Sequence, residues 1–539
     1  KRMHWADSIA KALSHRSEKQ VIASGITPSG EFHIGHLREI LTSDIIKRAC
    51  LRLGLDAQFV FFVDDADPLR KVYDFLDQSY QQYIGHQLAN IPPPDANGVP
   101  DHERFEEGTS YADHFLGPFI EALEKIGVNI DEIIYNYESY KSGKFAEASR
   151  RACNDSEAIR EIIERVSGRE LDDSWFPWNP IDSDGSIDGI TVTGWEDPIV
   201  YWTDSKGREG KSDVTLGQGK LPWRIDWPAK WVWRGVTMEP FGKDHGAAGG
   251  SYDTGKEISI VLGENPPYPT TYEWISLKGV GAMSSSTGVT IGPLEALELV
   301  PPEILRYLIT RSKPNRHIDF DTGSALIELA DEYQKKLGDL EKGPGEWDSL
   351  SRRQQVAWEK LKAQLIYSQI DPQNPPQSAS ERVTFRHLAL LAQIRSEDQG
   401  VWDSLTSSGL ITEPGDDLIL RLKMMRTWIE GPHFPESFRL RIQNSISEHA
   451  KSHLDNRDDE YLEAVYSGLS NCLWTSDQIN GVICNEAKQR EISLRDAFQT
   501  MYWIVLNQDF GPKLASILAE MERGDVLDLL KLAIDELSS

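Results

Sequence analysis

Val21-Ile-Ala-Ser-Gly-Ile-Thr-Pro-Ser-Gly-Glu-Phe-His-Ile-Gly-His36 is the stretch on which the fold turns. Its apolar start reads as a buried strand, and Gly25, Pro28 and Gly30 break it into a loop. Ile34, Leu37, Leu41, Ile45 and Ala49 then recur at helical spacing, and Gly54 closes the run. Strand, small-residue loop and helix make the opening unit of a nucleotide-binding α/β fold, in which a backbone approaches phosphate and a helix N-terminus offers free N–H groups. His33 and His36 start one helical face, and Gly35 between them leaves room for a flat ligand. Taken alone, the tetrapeptide reads more readily as surface or capping histidines; the strand and loop before it turn the reading toward a ligand site.

Working outward, Gln58-Phe-Val-Phe-Phe-Val63 is a second buried strand, ending in the charged Asp64-Asp-Ala-Asp-Pro-Leu-Arg-Lys71. In doubly wound sheets that edge is where ligands bind. A short amphipathic helix is expected before residue 20, helices at 111–126 and 141–166, and a strand at 130–137. Residues 175 to 221 change to short alternating runs split by Asp, Gly and Pro, which reads as a small β-rich insertion. Leu221 to Pro228 resumes the main domain as a Pro-bounded strand, and Tyr272 to Lys278 is strand-like. After Pro302 the chain is expected to be helical and to stay so, with breaks near 338–345 and 371–380.

The 539 residues suffice for several domains. Cys50, Cys153, Cys472 and Cys484 lack any paired spacing, so neither disulfides nor a thiolate metal site is expected. No apolar window is long enough to span a bilayer, and a cytoplasmic protein follows as the expectation. A net charge of −28 argues against wholesale nucleic-acid binding, while leaving room for a local basic face or a salt-adapted surface.

Further motifs follow in order: Ser110-Tyr-Ala-Asp-His-Phe115, Trp223-Arg-Ile-Asp-Trp-Pro228, Gly242-Lys-Asp-His245, Ser251-Tyr-Asp-Thr-Gly-Lys-Glu257 and Met283-Ser-Ser-Ser286. Together with the first loop and the acidic turn, these make the chain resemble the class I lysyl-tRNA synthetases, over residues 3 to about 330 most clearly and beyond them more loosely. The resemblance implies a Rossmann-type α/β catalytic domain of the HIGH superfamily over 1–300, with an insertion at about 90–220 whose β-rich part is 175–220. A stem-contact helical region over 301–375 and an all-helical anticodon-binding domain over 376–539 would follow.

The implied reaction is attack of the lysine carboxylate on the α-phosphate of ATP, carried with Mg²⁺, followed by transfer to the 3′ end of tRNA(Lys). Such chemistry is mostly positioning and charge neutralisation. The resemblance assigns catalysis to His33, His36, Ser284 and Ser286, with Lys278 standing in for an absent signature-loop lysine. ATP would meet Pro28, Gly35, His36, Gly242, Asp244 and Met283, and lysine would meet Gly25, Thr27, Trp223, His245 and Tyr272. An aromatic face contributes about 0.5–2 kcal/mol toward holding an ammonium. Asp64, Asp65, Asp67 and Asp226 are its candidate acceptors, or else a solvated acidic turn; Trp223 and Trp227 read as well as core packing. Thr254 reads chiefly as a helix cap.

In the signature loop Ala282 stands where relatives have lysine. Lys278, with Lys243 and Lys256 behind it, is the candidate replacement, and the two histidines are expected to carry more of the phosphate neutralisation. The β-rich stretch at 175–215 lacks Cys and His, so no structural zinc is expected. Arg306, Arg311, Lys313 and Arg316 are the first candidate tRNA contacts; Arg421, Lys423, Arg426, Arg439 and Arg441 form a second cluster. Trp402, Trp428, Trp474 and Trp503 divide between core and stacking on unpaired bases. A monomer without membrane contact is expected, and lysine activation is expected to need bound tRNA. The rivals are a glutamyl- or glutaminyl-type enzyme, disfavoured by the aromatic and acidic pocket, and a catalytically silent tRNA-binding paralogue.

Overall fold

The computed structural model describes residues 3–277, 281–282, 291–376, 383–456 and 458–539. Lys278, Met283, Ser284 and Ser286 lie outside the described residues, and so does most of the signature loop. Among those described, no helix is long and apolar enough to cross a membrane.

The opening stretch folds as its pattern dictates. Helix α1 (Trp5–Ser14) precedes β1 (Lys19–Ile26), a short 3-10 turn Ile34–His36 follows, and α2 (Leu37–Arg52) runs back. Gly54, at φ +93°, ends α2, where a side chain would be strained, and Leu55 N–H closes on Cys50 O at 3.0 Å. β2 (Asp56–Val63) pairs parallel with β1 from Lys19↔Asp56 to Ile26↔Val63, so both strands end at one edge. β3 (Glu132–Tyr135) extends the sheet beyond β2. The stretch expected as one helix over 141–166 is instead Asn136–Lys141, Ala146–Asn154 and Ser156–Ser167.

Between β3 and the next strand of that sheet come β4 (Asn179–Pro180), β5 (Ile190–Glu196), β6 (Ile199–Asp204), β7 (Glu209–Asp213) and β8 (Gly219–Lys220). β5-β6-β7 form an antiparallel sheet, and β4 pairs with β8. The stretch Leu221 to Pro228, expected as a Pro-bounded strand, instead leads into a helix, Trp223–Arg234. Trp223, Trp227 and Trp231 recur on one face, with centroids 5.1 and 4.8 Å apart in succession. β9 (Met238–Gly242) and β10 (Tyr268–Tyr272) complete a parallel sheet of order β10-β9-β1-β2-β3. Its order reverses between β1 and β9, the place where parallel sheets open a crevice at their strand ends.

β11 (Ile275–Leu277) pairs with β12 (Gly281–Ala282) on one edge and β13 (Ile318–Phe320) on the other. The chain therefore does not stay helical after Pro302. It splits into two compact units, one of residues 1–297, 302–320 and 342–376, the other of 298–301, 321–341 and 377–539. The expected stem-contact stretch is shared between them rather than standing alone. In the second unit, described residues from 383 onward form helices, with a core built on Tyr461, Leu469, Met501, Ile517 and Leu530. Trp428 is wholly buried there, donating to Thr322 O and His433 O, so it is core rather than a stacking platform.

Candidate active site

The crevice is built from the ends of β1, β9 and β10. Beyond β1, Ser29 N–H closes on Thr27 O at 2.9 Å, Pro28 is buried, and Ser29 O accepts from Tyr111 Oη at 2.5 Å. The turn aims His33, Gly35 and His36 at one spot, the two rings lying 4.1 Å apart. His33 Nδ1 accepts from Gly35 N at 3.0 Å, and His36 Nδ1 accepts from His33 N at 3.1 Å. The neutral His33 ring therefore carries its proton on Nε2, while His36 Nδ1 sits between the N–H and, at 3.3 Å, the carbonyl of His33; Nε2 is on each ring the nitrogen left to meet a ligand. The capping reading is realised, through Nδ1 of each ring.

Burial pushes the His33 imidazole down to about 4; the same cause, with His33 beside it, takes His36 to about 3. Neutral rings donate hydrogen bonds but supply no positive charge at pH 7. Nor do the reserve lysines stand idle: Lys243 pairs with Glu273 at 3.0 Å and Lys256 with Asp253 at 3.3 Å.

Space is as tight as chemistry demands. A Cβ on Gly35 would lie 2.7 Å from the His33 ring, and one on Gly242 would lie 2.9 Å from Trp274. Past β9 the turn Gly242–Gly246 exposes Asp244 and closes through His245 N–H to Gly242 O at 3.0 Å. His245 stacks on Trp223, centroids 5.1 Å apart, with Trp227 at 5.7 Å. Thr254, expected as a cap, instead donates back to Ser251 O and receives Arg224 Nη1 at 3.1 Å.

One acid of the crevice was not foreseen. Glu39, in the first turn of α2, accepts from Gly25 N at 3.2 Å through one oxygen and from Tyr272 Oη at 3.2 Å through the other. It thereby joins two expected substrate residues, Gly25 and Tyr272. Burial raises its carboxyl to about 8, against the pull of the Gly25 amide. Its place three residues after His36 was the available signal.

The four foreseen acids are engaged otherwise, and none lies in a solvated turn, since Asp64, Asp65, Asp67 and Asp226 are 1–7% exposed. Lys220 bonds Asp67 at 2.9 Å; Lys230 bonds Asp64 and, at 2.9 Å, Asp226, which also accepts from Tyr140 Oη. Asp65 accepts from Tyr137 N at 2.8 Å. These are the protein's own lysines in the places proposed for a substrate ammonium. A cavity of about 750 Å³ adjoins the crevice at Trp223, lined also by Lys220, Arg70, Asn179, Thr191 and Thr203. Among the described residues no group of three or more His, Cys, Asp or Glu is placed to hold a metal ion.

Of the first expected RNA contacts, Arg306 is corrected: it is fully buried, bonding Tyr367 O, Ile126 O and Asp44 Oδ2 at 3.0, 3.2 and 2.7 Å. Arg311, Lys313 and Arg316 are exposed, on a turn held from beneath by Arg38, whose Nη2 reaches the carbonyls of Lys313, Pro314 and Arg316. Arg421 is likewise core, lying over the Phe385 ring and donating to Val383 O.

Residues 3–363 match the family of tRNA synthetases class I (K). The chain is 37% identical to a lysine–tRNA ligase of Thermoplasma volcanium, over 98% of its own length and 99% of that one. It is 38% identical to the lysine–tRNA ligase of Picrophilus torridus over 97% of each, and 35% identical to that of Archaeoglobus fulgidus over 99% and 100%.

Proposed function

This chain belongs to the class I (K) tRNA synthetases, and on that premise we propose that it is a lysine–tRNA ligase. The observation that carries the specificity is the Glu39 carboxyl held between Gly25 N and Tyr272 Oη; the Trp223–His245 stack supplies the aromatic face. A lysine side chain laid along Trp223 and His245 delivers its ammonium to that acid, which gives up its proton as the pair forms. A glutamate side chain would set a second carboxylate against the acid, and a glutamine side chain would offer its amide but no charge to pair with it.

The lysine carboxylate then attacks the α-phosphorus of ATP; the P–O bond to the β-phosphate breaks and pyrophosphate leaves. Transfer to the terminal ribose of tRNA(Lys) releases AMP. The chain's own part is positioning: His33 and His36 meet phosphate oxygens through their outer nitrogens, Gly35 and Gly242 leave room for adenosine, and Asp244 meets the ribose. Mg²⁺ arrives on the triphosphate, held mainly by the phosphates. The signature-loop serines and Lys278 retain the roles the resemblance implies, as does the need for tRNA in activation. Arg311, Lys313 and Arg316 are the basic residues offered to RNA phosphates, and the helical second unit is the anticodon reader.

The test is pyrophosphate exchange with each amino acid, with and without tRNA: lysine-dependent exchange supports the reading, and exchange with another amino acid alone refutes it. Within this reading, Gly35→Ala should lower kcat/KM for ATP at least tenfold, because the new methyl displaces the His33 ring. Unchanged ATP kinetics would remove Gly35 from the site. Lysine affinity should also rise with pH, by up to about tenfold per unit below pH 8, as Glu39 sheds its proton, and level off above it. Calorimetric titration from pH 6 to about 9 reads this slope, and a flat profile would show that Glu39 does not meet the ammonium.

A further inference from the structure

Thr27, which is half-buried, and the buried Asp67 and Lys220 form a line leading inward from the end of β1. Lys220 Nζ donates to Asp67 Oδ1 at 2.9 Å, and Thr27 Oγ1 donates to the other oxygen, Oδ2, at 3.1 Å. Lys220 is 3% exposed and Asp67 7%, and Asp226 lies 3.9 Å from the same ammonium. Burial pulls the Lys220 ammonium down, but Asp67 and Asp226 outweigh it and hold it above its ordinary value.

The direction of each bond follows from the chemistry. An ammonium only donates and a carboxylate only accepts, so the single Thr27 proton is committed to Asp67. What the hydroxyl has left is lone pairs. At the mouth of the crevice, two residues beyond Gly25, Thr27 is therefore an acceptor and not a donor.

We propose that Asp67 is a positioning residue: with Lys220 behind it, it orients the Thr27 hydroxyl as an acceptor for an ammonium group of the amino-acid substrate. This rests on the reading of the crevice as a lysine site. Lysine has two such groups, and the geometry specifies the chemistry of the contact rather than which of them makes it.

Asp67→Asn reverses the bond. Lys220 keeps the carbonyl oxygen, the amide NH₂ turns to Thr27 and donates, and the hydroxyl proton swings outward against the ammonium. Lysine KM should rise about 10- to 100-fold, the range for a hydrogen bond to a charged group, while the ATP KM stays unchanged. Thr27→Val should act in the same sense and removes no buried charge, so it decides the matter if the Asp67 variant does not fold.

Inhibition by 6-aminohexanoate, which lacks the α-ammonium, and by norleucine, which lacks the ε-ammonium, identifies the partner. The analogue missing the group bound by Thr27 should inhibit wild type and variants equally, and the other should weaken with lysine. Equal weakening of both analogues and of ATP, or of none, overturns the proposal. Failure of wild type to activate lysine would instead sink the ligase reading itself.

Discussion

Glu39→Gln should lower kcat/KM for lysine by about 10²- to 10³-fold, the cost of leaving a desolvated ammonium without its counter-charge. Glutamine has the shape of the protonated acid that burial favours in the free protein, and its carbonyl can still accept from Gly25 N. The fold should therefore survive and the ATP KM should be unaffected. A second readout separates loss of charge from disturbance of shape: the rise of lysine affinity toward pH 8 should vanish in the variant. If Glu39→Gln keeps wild-type lysine kinetics, the ammonium lies elsewhere, and the aromatic stack of Trp223 and His245 would be left without its acid.

Arg306→Met is the second large effect, and it falls on stability. The guanidinium joins the helix Pro302–Thr310 to Asp44 on α2, to Ile126 O and to Tyr367 O, all without exposure. Its removal leaves two carbonyls without this donor. Asp44 retains Arg48 at 3.2 Å but loses its closer partner. Breaking a buried pair from one side costs about 3–5 kcal/mol, so the first unfolding transition in urea should move to clearly lower denaturant. Arg316→Ala, on the exposed turn, should leave that transition in place and weaken tRNA binding instead. Wild-type stability with lost tRNA affinity in Arg306→Met would restore Arg306 to the RNA surface.

The contrast between these arginines shows what the sequence carried and what it could not. Local signals were sound where one element decided the matter: β1, its loop, α2 and Gly54 lie where periodicity and breakers put them. They failed where a local cue competed with a longer one. Pro228 and the tryptophans around it read as a bounded strand, yet the Trp223, Trp227, Trp231 spacing is helical and the helix simply tolerates an internal proline. Charge proved least legible. Arg306 and Arg421 sit in basic clusters along the chain but on the inward faces of their helices, and only partners distant in sequence reveal them. The acids at 64, 65, 67 and 226 suggested a cation site correctly, but the cations are Lys220 and Lys230 for three of them. Glu39 escaped notice because its meeting with Tyr272 depends on strand order, not on proximity in the chain.

The buried set of Lys220, Lys230, Asp64, Asp67 and Asp226 also has a bearing on descent and redesign. Changing one member strands a charge inside the protein at a cost of about 3–5 kcal/mol, a large share of the roughly 5–15 kcal/mol that holds a native domain together. The five positions can thus drift only in concert, by paired or compensated replacement, and act as one inherited block beneath the crevice. Efforts to retarget this enzyme to another amino acid have their free choice among Trp223, His245, Glu39 and Tyr272, whereas the block must be kept whole or exchanged whole.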